Sequence, residues 1–168
     1  MEHLIYKVDS RMSPPVILAM LSGLALIVIS ILKNHSFLFL VAFTPFLYLG
    51  MEILARKIVV DPRGLTIYKL FRSKRLNWAQ IENVDSVHTG SKFFLILQVS
   101  SIRPVIITNT IAFFPDLVKK IIQNIPADKV SESASEISRS NQTKLWPIIQ
   151  AWLVCAIFFT VMVGKILE

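Results

Sequence analysis

The residues most able to do chemistry are Arg72, Lys74 and Arg75, which put three positive charges into four consecutive positions of a 168-residue chain. Lys57 and Arg63 add two more on the approach. Arg and Lys stay protonated near neutrality, so this set suits anion binding rather than proton transfer. Near an anionic leaflet, each such charge contributes about 1 kcal/mol. We take Arg72, Lys74, Arg75, Lys57 and Arg63 as candidate contacts for lipid or for a protein partner. A solvated turn whose charges only fix membrane topology is the plainer alternative.

Other chemistry finds little footing. His3, His35 and His88 are scattered, Cys155 is the only cysteine, and no pair has metal-ligand spacing. No phosphate loop, dinucleotide fingerprint, metalloprotease helix or nucleophile elbow occurs. The carboxylates are spread singly, so no acid/base pair stands out. The reading is of a non-enzymatic protein with no cofactor and no metal. The net charge of +7 would suit nucleic acid, but no aromatic platform or recognition helix accompanies it, and no nucleic-acid partner is expected.

The elements that must position these cations are partly apolar. Hydrophobic residues make up 54% of the chain and the mean hydropathy is +0.59, above the usual share of a soluble domain. The excess falls in three blocks: 14–32 without a charge, 37–55 with Glu52 near its end, and 145–167 with Lys165 near its end. Nineteen helical residues reach about 28 Å, the hydrocarbon thickness of a bilayer, so each block reads as a span. A cleaved signal peptide is the rival reading for 14–32. The run is long for a signal core and lacks a small-x-small exit.

In the first span, Ser22 and Gly23 would admit a close neighbouring helix; in the second, Pro45 falls near the middle, where it removes one backbone bond. The stub 33–36 leaves room only for a tight helical hairpin. From 56 to 144 the chain holds 14 Lys and Arg against 7 Asp and Glu, a net of +7. Basic loops stay on the cytoplasmic side. The expected topology has the N-terminus and the 56–126 region in the cytoplasm and the C-terminus outside.

Between the second and third spans the periodicity turns strand-like. Residues 57–61 form a β-branched run, Asp61-Pro62-Arg63-Gly64 carries type I turn residues, and 65–71 partly alternates. The basic run 72–75 is expected as a hairpin turn, Trp78 and Ile81 as apolar plugs around a bend, and 84–88, 93–100 and 105–108 as further strands. Pro115 opens a helix whose Leu117, Val118, Ile121, Ile122 and Ile125 share one face. Residues 1–13 read as an interfacial tail, and the Ser-rich stretch 127–144 as a flexible linker.

This order resembles the bacterial pleckstrin-homology-like domains, found in many small membrane proteins beside a pair of hydrophobic helices. The matching features are the strand 58–61, Gly64-Leu65, Tyr68, Arg75, Trp78, Ile81, Val84, Phe114 and the helix 117–125. The resemblance covers roughly seventy residues and rests on pattern, not on an invariant signature. It implies an α+β fold with transmembrane helices: a two-helix N-terminal membrane hairpin, a bent antiparallel sheet or open barrel capped by a C-terminal helix, then a third span. It also implies a binding or assembly module, several relatives being self-associating. Relatives that bind phosphoinositides carry a spaced basic motif in the first hairpin; Lys57, Arg63 and Lys69 alone stand there, which argues against tight inositol-phosphate recognition.

Three roles follow. The leading one is protein binding or self-assembly at the membrane, as a homo-oligomer or with other membrane-complex subunits. The others are an anionic-lipid surface sensor acting through the basic hairpin, and an accessory subunit of a larger membrane complex.

Overall fold

The structure is a computed structural model that describes residues 4–32, 38–90, 92–99, 102–139 and 145–167. The stub 33–36, the residue His3 and the linker end 140–144 lie outside the described residues. The chain divides into two units, residues 1–9 with 56–144 and residues 10–55 with 145–168.

The first unit is α+β, with two antiparallel sheets. Strands β1 (Leu4–Lys7), β2 (Lys57–Asp61), β3 (Gly64–Tyr68) and β4 (Ser73–Asn77) form one sheet in that order, and β5 (Ile81–Thr89), β6 (Lys92–Val99) and β7 (Ile102–Thr108) form the other. Each strand puts alternate residues inward. The fully buried Ile58, Leu65, Leu76, Ile81, Leu95 and Leu97 come from both sheets and belong to one hydrophobic core. Burying one such side chain contributes about 2 kcal/mol.

Helix α3 (Phe114–Gln123) covers that core as its apolar stripe requires, with Leu117, Val118 and Ile121 fully buried and Pro115 in its first turn. The β2–β3 turn places Asp61 opposite Gly64, and the Asp61 carboxylate accepts the Arg63 N–H at 2.8 Å. Gly64 is required there, because a Cβ would collide with the Leu76 carbonyl. Trp78 starts a 3-10 turn, is half-buried against the core, and donates its indole N–H to the Asp61 carbonyl at 3.2 Å.

Two expectations about the flanking segments of this unit fail. Part of the presumed interfacial tail is strand β1, whose Tyr6 pairs with Ile58 and is itself buried. Four residues are too short to announce a strand locally, and their partner lies fifty residues away across the intervening helices. The Tyr6 hydroxyl donates to Asp116 in the first turn of α3 at 2.6 Å, and burial together with that carboxylate pushes its pKa well above the usual tyrosine range.

The presumed flexible linker likewise contains helix α4 (Glu132–Arg139), capped at its start by the Ser131 hydroxyl, which accepts the Ala134 N–H at 3.3 Å. Ala134 and Ile137, three residues apart on one face, are buried in the core. Their burial overrides the poor helix propensity of the serines. Before α4, the Ser131 N–H donates to the Val84 carbonyl of β5 at 2.9 Å. Hydrogen bonds from the Ser131 hydroxyl, the Ser86 N–H and the Ser133 hydroxyl hold the Asp85 carboxyl below the usual range.

The second unit holds α1 (Ser13–Leu32), α2 (Leu38–Ala55) and α5 (Trp146–Leu167). Two stretches, Ser10–Leu32 and Trp146–Gly164, are long and apolar enough to cross a membrane, and Phe43–Ala55 is a shorter apolar stretch. Gly23 lets α2 approach α1 as its small size predicts, since a Cβ there would fall within the Phe43 ring. Phe43 and Phe46 of α2 meet Phe158 of α5 edge-on, with centroids 5.3 and 5.9 Å away. Pro45 stands inside a continuous α2, and Thr44 donates to the Leu40 carbonyl at 2.7 Å.

Candidate functional site

The local geometry of β3 and β4 decides where the candidate cations go. The Lys69 N–H donates to the Arg72 carbonyl at 2.8 Å, so the turn is 69–72 and β4 already starts at Ser73. The basic run is therefore split between a turn and a strand. Strand alternation then sends Lys74 and Arg75 to opposite faces.

Lys74 pairs with the buried Ile67 and is half-buried, with its ammonium donating to the Arg103 carbonyl at the start of β7 at 3.3 Å. Arg75 lies on the outer face, 3.8 Å from Asp61. An exposed pair of that length contributes under about 1 kcal/mol. Lys57 is also on the outer face, 4.7 Å above the Tyr68 ring with which it pairs across the strands. Arg63 sits in the β2–β3 turn, at the other end of the sheet.

Of the five candidates, the fold thus brings only Arg72 and Lys74 to one site. That site is a cleft of about 380 Å³ whose lining includes Ile67, Lys69, Arg72, Lys74, Val105 and Ile106. One wall is the β3–β4 turn with the start of β4, and the other is β7. The charges of Lys69, Arg72 and Lys74 rim an apolar floor.

The cleft also lies between two sheet edges. The edge of β5 is met by Val130 and Ser131, and the end of β1 by residues 110–112, through Asp9 N–H to the Thr110 carbonyl at 3.1 Å and Ala112 N–H to the Lys7 carbonyl at 2.8 Å. Two other edges, β4 and β7, pair with no further strand among the described residues, and both line the cleft. An unpaired edge offers N–H and C=O groups to an incoming strand. The outer face of β7 adds Ile106, 56% exposed, in register with Ile96 of β6.

Sequence reasoning missed the β7 wall, because nothing near Pro104, Val105 and Ile106 signals that their strand ends a sheet. Lys74 facing inward was available from its spacing to Leu76. Among the described residues no three His, Cys, Asp or Glu side chains gather as a metal site.

No protein-family model, curated protein or solved structure matches this chain.

Proposed function

We propose that the chain is a non-enzymatic, membrane-anchored binding module that holds a protein partner, a second copy of itself or another membrane subunit, at the β4/β7 cleft. In this reading α1, α2 and α5 are three spans of a bacterial inner membrane. The two-sheet unit is a pleckstrin-homology-like domain on the cytoplasmic side, where its excess of Lys and Arg keeps it.

The observation that carries the proposal is the convergence of two strand edges, β4 and β7, which pair with no further strand among the described residues, on one cleft with an apolar floor and a basic rim. An extended segment with an acidic side chain fits it: its backbone pairs with β7, and its carboxylate meets Lys74. Self-assembly needs no other partner type, because β7 of one copy can pair with β7 of another.

The test is the mass of the complex extracted in mild detergent, measured across protein concentrations, for the wild type and for Ile106→Lys. Ile106 is exposed, so the substitution spares the core while putting a charge on the edge strand. The wild type is expected to travel with a second copy or another protein, and Ile106→Lys to lose it. A wild-type chain that stays a lone monomer throughout contradicts the proposal.

A further inference from the structure

One row of cross-strand partners runs Lys7, Lys57, Tyr68, Ser73 over four strands. At about 4.8 Å per strand it spans roughly 14 Å. Two of the three chain connections to the helical unit leave from this row: β1 ends at Lys7, three residues before that unit begins at Ser10, and β2 begins at Lys57, two residues after Ala55.

The flanks of the row are unusual. At one end the β3–β4 turn carries Lys69, Arg72 and Phe71, the last 81% exposed. At the other, the loop hydrogen-bonded to Lys7 carries Phe113, 75% exposed. Phe113 has φ of 54°, and among the described residues it alone combines positive φ with a side chain. A bulky residue avoids that region unless its surroundings impose it, and such outliers gather at binding sites. Lys7 and Lys57 stand directly opposite each other, an arrangement that is unfavourable between like charges.

We infer that this rim is a lipid-contact surface, in which Lys7, Lys57, Lys69 and Arg72 meet anionic headgroups while Phe71 and Phe113 enter the interface. The occupant is a bilayer surface rather than a soluble anion, for two reasons on the page. The rim combines cations with one exposed aromatic at each flank, Phe71 and Phe113, and two of the three chain connections to the apolar helices start from it. The inference rests on the membrane anchoring proposed above. It differs from the contact set read from sequence: Lys7, Lys69 and the two phenylalanines enter, and Arg63, Lys74 and Arg75 leave.

The experiment uses the full chain with Cys155→Ala, reconstituted into vesicles of phosphatidylcholine alone or mixed with phosphatidylglycerol. A nitroxide is attached in turn at Phe71→Cys, Phe113→Cys, Gln123→Cys and Leu24→Cys, and its access to a water-soluble relaxer is measured. The labels at 71 and 113 are expected to be shielded in the anionic vesicles and exposed in the neutral ones, with 123 exposed in both and 24 shielded in both. Lys57→Gln or Arg72→Gln lowers the ratio of docked to undocked chains about fivefold each, and raising salt from about 0.1 to 1 M reverses the shielding. Amide exchange of β6 confirms that these exposed-site variants stay folded.

Equal water access at 71 and 113 in both vesicle types, with 24 still shielded, overturns the lipid-contact surface and leaves the anchoring intact. Equal shielding in both, untouched by Lys57→Gln, overturns the role of charge. A water-exposed label at 24 refutes the anchoring itself.

Discussion

Replacing Tyr6 tests whether the N-terminal residues belong to the β unit. Its ring is buried, being 7% exposed, and its hydroxyl donates to Asp116 at 2.6 Å. Tyr6→Phe removes only that bond; a hydrogen bond to a charged group contributes about 1.5–3 kcal/mol, and the exposure of Asp116 puts this one at the low end. Tyr6→Ala also empties an aromatic site, for a total of about 3–5 kcal/mol. Amide exchange of β2 and β6, followed by mass spectrometry on the full chain in detergent, reads both. At tenfold per 1.4 kcal/mol, Tyr6→Phe speeds exchange about tenfold and Tyr6→Ala a hundredfold or more.

The pH dependence has a definite sign. The pKa of Tyr6 is raised in the folded chain, so the neutral phenol is the form folding favours. Its contribution is complete below the ordinary tyrosine value near 10 and is lost as pH rises above it. Tyr6→Phe abolishes that alkaline loss. Unchanged exchange in β2 and β6 for Tyr6→Ala would refute the placement of β1 in the sheet.

The other predictions concern the helices and α4. Gly23→Leu drives a side chain into the space of the Phe43 ring and separates α1 from α2; thermal stability of the detergent-extracted chain falls, whereas Gly164→Ala, where a Cβ meets nothing nearby, leaves it unchanged. The pKa of Asp85 is lowered by Ser131, Ser86 and Ser133, so its contribution is present above the ordinary carboxylate value near 4 and is lost as pH falls through the lower folded value. Exchange in α4 therefore rises in acid before that of β6, and Asp85→Asn removes the difference.

How much of this was legible in the sequence depended on whether the signal was local. The core helix declared itself through Leu117, Val118 and Ile121 at helical spacing, and β2, β3 and β6 through β-branched or apolar runs. The Asp61 to Gly64 turn did so through Asp, Pro and Gly at the positions that such a turn favours. What stayed hidden depended on distant partners. Leu4 and Tyr6 become a strand only because Val60 and Ile58 stand opposite them, and Ala134 and Ile137 fix a helix only because the core beneath has room for two apolar residues.

The candidate site shows the same division. Counting charges found the cluster but could not separate Lys74, which reaches β7, from Arg75, which meets Asp61 on the other face. That separation needed the start of β4, and one closing hydrogen bond between Lys69 and Arg72 moved it inside the presumed turn. The partner wall at Val105 and Ile106 needed the order of strands in the second sheet, which no local pattern carries.

The central claim is that the exposed edge of β7 meets protein. A photo-reactive amino acid placed at Ile106 in cells, irradiated and analysed by mass spectrometry, tests it directly, with Arg63 in the far turn as the control position. Adducts to a second copy or to another protein at 106, and none at 63, are the predicted result. Adducts at 106 to lipid alone, or none at either position, would contradict it.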